Sequence, residues 1–469
     1  MGTSQSSDQS FRDHLATVDA RGRRKWVFAQ RPEGKWYRLR TYISWCYFLL
    51  FFSLPFVSID GRPLFLFNVP AARFILFGKV FWPQDFFIFG LAMVTFIIFV
   101  ILFTAAFGRL FCGWVCPQTI FMEMLFRKVE YAIEGDAAWQ RMARNRPRTA
   151  GTLLRRSVKH AVFFFLSFVI ANTFLAYIIG IKDLWAIISG DVSRHLGGLG
   201  AVLLFSGVFY AVYAFFREQA CTVVCPYGRL QSVLLDRNSM VVAYDYNRGE
   251  PRAKFSKSRK GDTGDCLDCD QCIKVCPTGI DIRNGTQMEC IACTACIDAC
   301  DRMMGKTGRS EGLIRYASEN GIAAGEPLRY TMRMKLYSGL LGVLLVILSA
   351  LLVSRKEVDA TIMRTPGMLY QERGVDSVSN LYTIKVANKT ARRVPLQLRL
   401  EGASGVIQVI GGGDIPIARE EEGSGNFFIV LPRYSINRRK TTLRIGLYDN
   451  GQKIDEIRTN FLGPLADAN

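Results

Sequence analysis

The chain has 469 residues, half of them hydrophobic, with 34 phenylalanines and a formal net charge of +19. That length admits two or three domains. The cations lie mostly beside long apolar runs and nothing resembles a nucleic-acid module, so the charge points to a membrane surface and excludes nucleic acid as a partner.

In chain order, residues 1–40 are polar and increasingly basic (Arg21, Arg23, Arg24, Lys25, Arg38, Arg40). They read as a mobile cytoplasmic arm with no removable signal peptide. The first apolar run, Tyr42–Ile59, is long enough to span a bilayer with some give at Pro55. Residues 64–81 are apolar but broken by Pro70, Arg73 and Lys79, and are expected to be an interfacial or re-entrant piece. Four further spans are expected at Phe86–Phe107, Val158–Ile181, Leu196–Phe216 and Leu336–Val353. The arm and the 108–156 and 217–335 loops are rich in Lys and Arg, whereas the 61–85 and 182–195 loops carry few. This alternation predicts the N-terminus inside, five spans, and the C-terminus outside.

From Lys356 the pattern changes from helical to alternating. SNLYTIKVANKT, VPLQLRLEG, GVIQVIGGG, NFFIVLP, TTLRIGLYDNG and KIDEIRTNF each look like a strand bounded by Gly, Pro or Asn. Asp449-Asn450-Gly451 is a hairpin signal. The predicted fold is therefore a multi-domain membrane protein. A basic arm (1–40) precedes a membrane domain (41–240) holding four spans of a five-span α-helical bundle. An inserted bacterial-type double ferredoxin (241–330), a fifth span (331–355) and an immunoglobulin-like β-sandwich (356–469) follow. The β domain has no cysteine and no catalytic constellation, which suits docking or scaffolding.

Thirteen cysteines are placed for ligand chemistry on the reducing side of a membrane rather than for disulfides. Residues 266–300 contain CLDCDQCIKVCP and CIACTACIDACD, each a C-x-x-C-x-x-C-x-x-x-C run. In this bacterial ferredoxin spacing three cysteines hold one cubane and the fourth crosses to the other. One [4Fe-4S] cluster takes Cys266, Cys269, Cys272 and Cys300; the second takes Cys290, Cys293, Cys296 and Cys276. Zinc ribbons use two plus two ligands, not two runs of three plus one. Pro277 follows the first run as in the ferredoxin pattern, and Asp301 departs from it after the second.

A second cysteine system consists of FGRLFCGWVCPQ and FFREQACTVVCPY, one element used twice. Cys112 and Cys116, like Cys221 and Cys225, are four apart, which on a helix puts both thiols of a pair on one face. Pro117 and Pro226 disturb or end the turn. The internal symmetry suggests that the four thiols face each other at the inner membrane boundary. Such a soft site suits Cu(I), zinc or an iron–sulfur centre, and small apolar cysteines packing between helices is the plain alternative. Arg109, Arg217 and Arg229 are expected to favour thiolate over thiol. Met122 and Met124 either assist copper or fill the core, and Cys46 is read as inert packing. Gly198-Leu199-Gly200 has no strand before it and is no dinucleotide loop. With no flavin or nicotinamide fingerprint, the electron donor must be a separate reductase or quinol.

Spans, paired C-x-x-x-C-P motifs, double ferredoxin and outer β domain together resemble the CcoG family, also called FixG or RdxA. CGWVCPQTIFMEMLFRKVEYAIEGD, CPYGRLQSVLLDRNSMVVAYDYNRGEPR and RTPGMLYQ are similar to that family's signatures. The resemblance implies a multi-pass protein of the bacterial inner membrane, with its ferredoxin cytoplasmic and its β domain periplasmic. It implies service in assembly of the cbb-type haem–copper oxidase, with copper chaperones and oxidase assembly components as partners. The implied activity is reduction of Cu(II) to Cu(I), with Cys112, Cys116, Cys221 and Cys225 carrying the membrane motif. A related expectation is a pure electron relay, as in the membrane polyferredoxins of nitrate and nitrous oxide reduction, and a third is an assembly scaffold.

Overall fold

The computed structural model describes residues 16–464 except 20, 60, 70–72, 82–85, 146–148, 255–262, 356, 357, 368, 375, 391, 420 and 437. The first fifteen residues of the expected arm thus lie outside the described residues. Two compact units emerge: one of 1–57, 66–68 and 87–348, the other of 58–65, 69–86 and 349–469.

In the first unit, three helices have the length and apolarity to cross a bilayer: Phe86–Phe107, Ala150–Ile179 and His195–Phe216. A fourth such helix is Met332–Val353. At 22 residues, Phe86–Phe107 is about 33 Å long, matching a hydrocarbon core of about 30 Å. Helix Ala150–Ile179 starts at a Thr149–Thr152 capping box and stops where Gly180 turns to φ 89°. The expected first span, Tyr42–Ile59, differs. Helix Lys35–Ser53 carries Lys35, Arg38 and Arg40 in its first two turns, then tightens to a 3₁₀ turn over Leu54–Phe56 around Pro55. One face packs Phe48, Phe51 and Phe52 against Phe121, while Tyr42, Trp45 and Leu49 are exposed. Cys46 also faces outward, not toward the centre of the bundle.

The ferredoxin region is not a separate body. Strands Val241–Tyr244 and Ile314–Ala317 pair antiparallel and close off the segment between them. The described part of the basic arm packs on that segment, where a mobile arm was expected. The Asp298 carboxylate accepts the Trp36 and Tyr37 backbone N–H groups at 3.1 and 2.7 Å, capping helix Lys35–Ser53 from outside its own sequence. Gln30 N–H bonds the Lys274 carbonyl at 2.8 Å, and Trp36 packs edge-on against Tyr316 and Trp114. A chain so rich in partners is ordered despite its charge.

Within 64–81, expected as an interfacial or re-entrant piece, the described residues form short strands, Phe65–Asn68, Arg73–Leu76 and Lys79–Phe81. Phe77 and Gly78, both at positive φ, make the two-residue turn between the last two strands. Ile75 and Val80 are buried partners across it. In the second unit the C-terminal domain is a sandwich. One sheet runs Val406–Val409, Glu422–Pro432, Ser377–Asn388, Val358–Arg364, with Gln371–Arg373 also on Ser377–Asn388; the other runs Ile415–Ile417, Val394–Glu401, Lys440–Asp449, Gln452–Leu462. Inward-facing Tyr382, Ile384, Phe427 and Ile429 meet Leu396, Ile445, Leu447 and Phe461 in one core. Asn450 and Gly451 take positive φ between Asp449 and its partner Gln452, a two-residue hairpin.

Candidate iron–sulfur and thiolate site

The two cysteine runs fold as the same loop twice. In Cys266–Cys272 the residues flanking Cys269, Asp268 and Asp270, have φ of 47° and 55°; in Cys290–Cys296 those flanking Cys293, Ala292 and Thr294, have φ of 52° and 65°. Left-handed backbone at Ala and Thr costs of order 1–3 kcal/mol and persists where a site demands it. Each loop then enters a helix, Gln271–Lys274 or Ala295–Lys306. The result is two cavities. Cys266, Cys269, Cys272 and Cys300 line one; Cys276, Cys290, Cys293 and Cys296, with Cys272 at the edge, line the other. The fourth cysteine of each set comes from the far end of the opposite run. Burial, with crowding by neighbouring thiols, pushes Cys300 up to about 12, and Cys293 is likewise pushed up to about 12. So many cysteines lining two small buried cavities are the kind of donor set an iron–sulfur cubane takes, and a bound cationic metal centre would offset the charge of their thiolate forms. Arg283 anchors the first loop by binding Asp268, Asp270 and Asp281 at 2.7 to 2.9 Å.

The C-x-x-x-C-P elements also match one another. Cys116 and Cys225 are not on the helix of their first cysteine. Each sits at an extended break (φ −59°, ψ 123° and φ −67°, ψ 114°) and leads into a new helix with proline at its first position. The proline forces this, since the residue before it is driven from helical into extended backbone. Each second cysteine donates its N–H five residues back, Cys116 to Phe111 and Cys225 to Ala220, both at 2.9 Å. Cys112, Cys116 and Cys225 all lie within electrostatic reach of Cys221. The elements interlock reciprocally. The Cys112 thiol donates to Gln231 Oε1 (3.1 Å), on the helix after the second pair, and Thr119 Oγ1, after the first pair, lies 3.8 Å from Cys221 Sγ.

The expected role of the arginines is corrected. Burial pushes Cys112 up to about 12 although Arg109 pulls the other way, and burial likewise pushes Cys221 up to about 12. The guanidinium groups are engaged elsewhere. Arg217 binds Glu130 through both nitrogens (3.1 and 2.8 Å), and Arg229 holds the Val223 carbonyl (3.0 Å). Arg109 donates to the carbonyls of Met288, in the second cluster loop, and Gly228, after the second pair. Met122 and Met124 are buried with Phe121, Phe126 and Tyr213 and belong to the core.

Gly113, between the two cysteines of the first pair, ties the two systems together. A Cβ there would lie 2.5 Å from the Ile291 carbonyl oxygen and 2.8 Å from that of Ala292. The helix bearing Cys112 thus rests on the loop between Cys290 and Cys293. Arg40 Nε clasps the Gly113 carbonyl at 2.7 Å, and Trp114 Nε1 donates to Tyr316 Oη, which donates to Ala292. Gly113, Gln231 and Trp36 escaped sequence reasoning. The one signal was that Gly113 stands where the second pair has Thr222.

Residues 216–319 match a 4Fe-4S dicluster domain, 89–134 a 4Fe-4S binding domain, and 348–464 the IG-like fold at the C-terminal of FixG. RdxA of Cereibacter sphaeroides is 31% identical over 439 residues, covering 89% of this chain and 91% of RdxA. The chain belongs to the FixG/RdxA family. FixG of Rhizobium meliloti is 30% identical over 436 residues (83% of this chain, 82% of FixG), and RdxB of C. sphaeroides 32% over 387 (78% and 80%). This FixG/RdxA-type protein is accordingly an iron–sulfur, oxidoreductase-like membrane protein of electron transfer, with an immunoglobulin-like C-terminal domain.

Proposed function

We propose that this protein reduces Cu(II) to Cu(I) at Cys112, Cys116, Cys221 and Cys225 and supplies the product to copper-centre assembly of a cbb-type oxidase. The observation that carries this reading is the seating of Gly113 on Ile291 and Ala292, which sets the thiol site directly against the second cluster loop. The eight cysteines of 266–300 hold two [4Fe-4S] clusters, which when bound supply single electrons at low potential, of order −400 mV in common ferredoxins. The four thiols bind copper and stabilise the soft monovalent ion, so that Cu(II) plus one electron gives Cu(I) at this place. Gln231 fixes the Cys112 side chain, and Arg109 fixes the spacing between the two cysteine systems. Copper chaperones and oxidase assembly components are the expected receivers, and a separate reductase or quinol is the donor.

For topology, we take helix Lys35–Ser53 as a further crossing, since its Tyr42, Trp45 and Leu49 face is exposed as lipid contact requires. With the N-terminus inside the bacterial inner membrane, the clusters are cytoplasmic and the β domain periplasmic. Reporter fusions after Gly34 and after Asn469 should then read in and out. The test of the activity is Cys112→Ser with Cys221→Ser, which should abolish copper binding and reduction while the cluster spectrum persists. A second reading is favoured by the 4Fe-4S binding match over 89–134, which contains Cys112 and Cys116. In it the four thiols hold a third iron centre and the protein is an electron relay. Iron analysis separates the two, since the double variant then loses about a third of its iron.

A further inference from the structure

A cavity of about 660 Å³, of the size of small-ligand sites, opens between the ends of two membrane helices, away from every cysteine. One wall is Phe163, Ala214 and Phe215, from Ala150–Ile179 and the end of His195–Phe216. Phe215, at the end of its membrane helix, is exposed on this wall. The rim carries Arg144, Arg155, Arg156 and Lys159. Its two carboxylates are already neutralised: Glu130 binds Arg217 at 2.8 Å and Glu134 binds Lys159 at 2.9 Å. Arg144, Arg155 and Arg156 have no carboxylate partner among the described residues. Arg144 lies over the Phe28 ring, and Arg156 donates to the Ala143 carbonyl at 3.1 Å. The N-terminus of helix Ala150–Ile179 adds its positive end to the same rim.

We propose that this cavity binds the phosphate headgroup of an acidic membrane phospholipid. Three guanidinium groups without a carboxylate partner among the described residues favour a phosphodiester, and Arg presents it with paired donors. The open apolar wall gives an acyl chain a path along Phe215 into the bilayer, which a free phosphate would not use. A basic pocket between helix ends at the water boundary is where such lipids are held. The site lies beside the Glu130–Arg217 pair, so an occupying lipid braces the turn that leads to Cys221.

The test is native mass spectrometry on the delipidated full chain in detergent. It is titrated with dioleoylphosphatidylglycerol, with dioleoylphosphatidylcholine, and with inorganic phosphate as competitor. One phosphatidylglycerol should bind at least about tenfold tighter than phosphatidylcholine, and millimolar phosphate should not displace it. Arg155→Ala with Arg156→Ala should weaken binding about tenfold or more, and the double lysine variant, which keeps the charge but not the paired donors, should recover only part of it. Arg329→Ala with Lys335→Ala, an equal charge change beside another membrane helix, should have no effect. Equal binding of the two lipids overturns the proposal without any variant. Equal loss in the control variant reduces the effect to general charge and also overturns it. Displacement by phosphate makes this a soluble-anion site and refutes the lipid.

Discussion

Gly113→Ala is the sharpest probe of how the two cysteine systems are joined. The added methyl would meet the Ile291 oxygen at 2.5 Å, the Ala292 oxygen at 2.8 Å and the Ala292 carbonyl carbon at 3.0 Å. All three are backbone atoms of the loop between Cys290 and Cys293, so no side chain can swing aside. Ordinary contact begins at 3.4 Å, so the helix bearing Cys112 must lift from the loop by about 0.9 Å. That lift stretches the Arg40 bond to the Gly113 carbonyl and the Arg109 clamp on Met288. Overpacking of this kind costs about 1–3 kcal/mol. A displacement near 1 Å at a reacting site can slow it by up to about 100-fold. Iron and acid-labile sulfide should stay at parental levels, because every cluster cysteine is untouched. Cu(II) mixed with the dithionite-reduced variant should be reduced 10- to 100-fold more slowly, on the order allowed by such a displacement. Thr222→Ala, at the matching place of the second pair, is the control and should be near parental. A Gly113→Ala protein with parental stability and rate would mean that the close approach does not couple the two systems.

Arg217→Met removes the nearest partner of the buried Glu130 carboxylate and leaves it Lys159 at 3.7 Å, so the loss should stay below the about 3–5 kcal/mol of a fully broken buried pair, read as a lowered thermal midpoint in detergent. Burial alone would raise the Glu130 carboxyl, but the charges of Arg217, Lys159 and Arg127 hold it below the usual range. Its contribution is therefore full above the unfolded value of about 4.3 and is lost as pH falls through the lower folded value. An acid titration of stability in which Glu130→Gln abolishes part of the loss checks this sign. Cys290→Ser with Cys293→Ser should remove about half the iron of a two-cluster protein, measured by iron and sulfide analysis. Gln231→Leu removes the acceptor of the Cys112 thiol and should lower copper affinity about 10- to 100-fold with the cluster spectrum unchanged.

What could be read in the sequence was local. The double run of 266–300 points to two cysteine-lined cavities, one with Cys266, Cys269, Cys272 and Cys300 and one with Cys272, Cys276, Cys290, Cys293 and Cys296, because the spacing and the left-handed turns at Asp268, Asp270, Ala292 and Thr294 act within a few residues. Long apolar helices and the alternating strands of the C-terminal sandwich are legible for the same reason. The short strands within 64–81 were not legible because short apolar runs do not distinguish strand from membrane segment. The arm looked mobile because its partners, Asp298 and Lys274, are more than two hundred residues away. Arg217 looked like a thiolate activator beside the cysteines, but its guanidinium group is taken by the Glu130 carboxylate from another element, while the pull of Arg109 on Cys112 is outweighed by burial. Only the tertiary structure shows which neighbour a long side chain chooses.

The central claim is that copper is reduced at the four membrane thiols with electrons from the adjoining ferredoxin region. The most direct measurement is anaerobic stopped-flow mixing of the dithionite-reduced protein with Cu(II), following cluster absorbance and a Cu(I) chelator together. The account predicts one Cu(I) for each electron lost from the clusters. It also predicts that Cys112→Ser with Cys221→Ser abolishes the reaction while leaving the cluster spectrum intact. Reduction at the parental rate in that variant would place the reaction elsewhere and contradict the account.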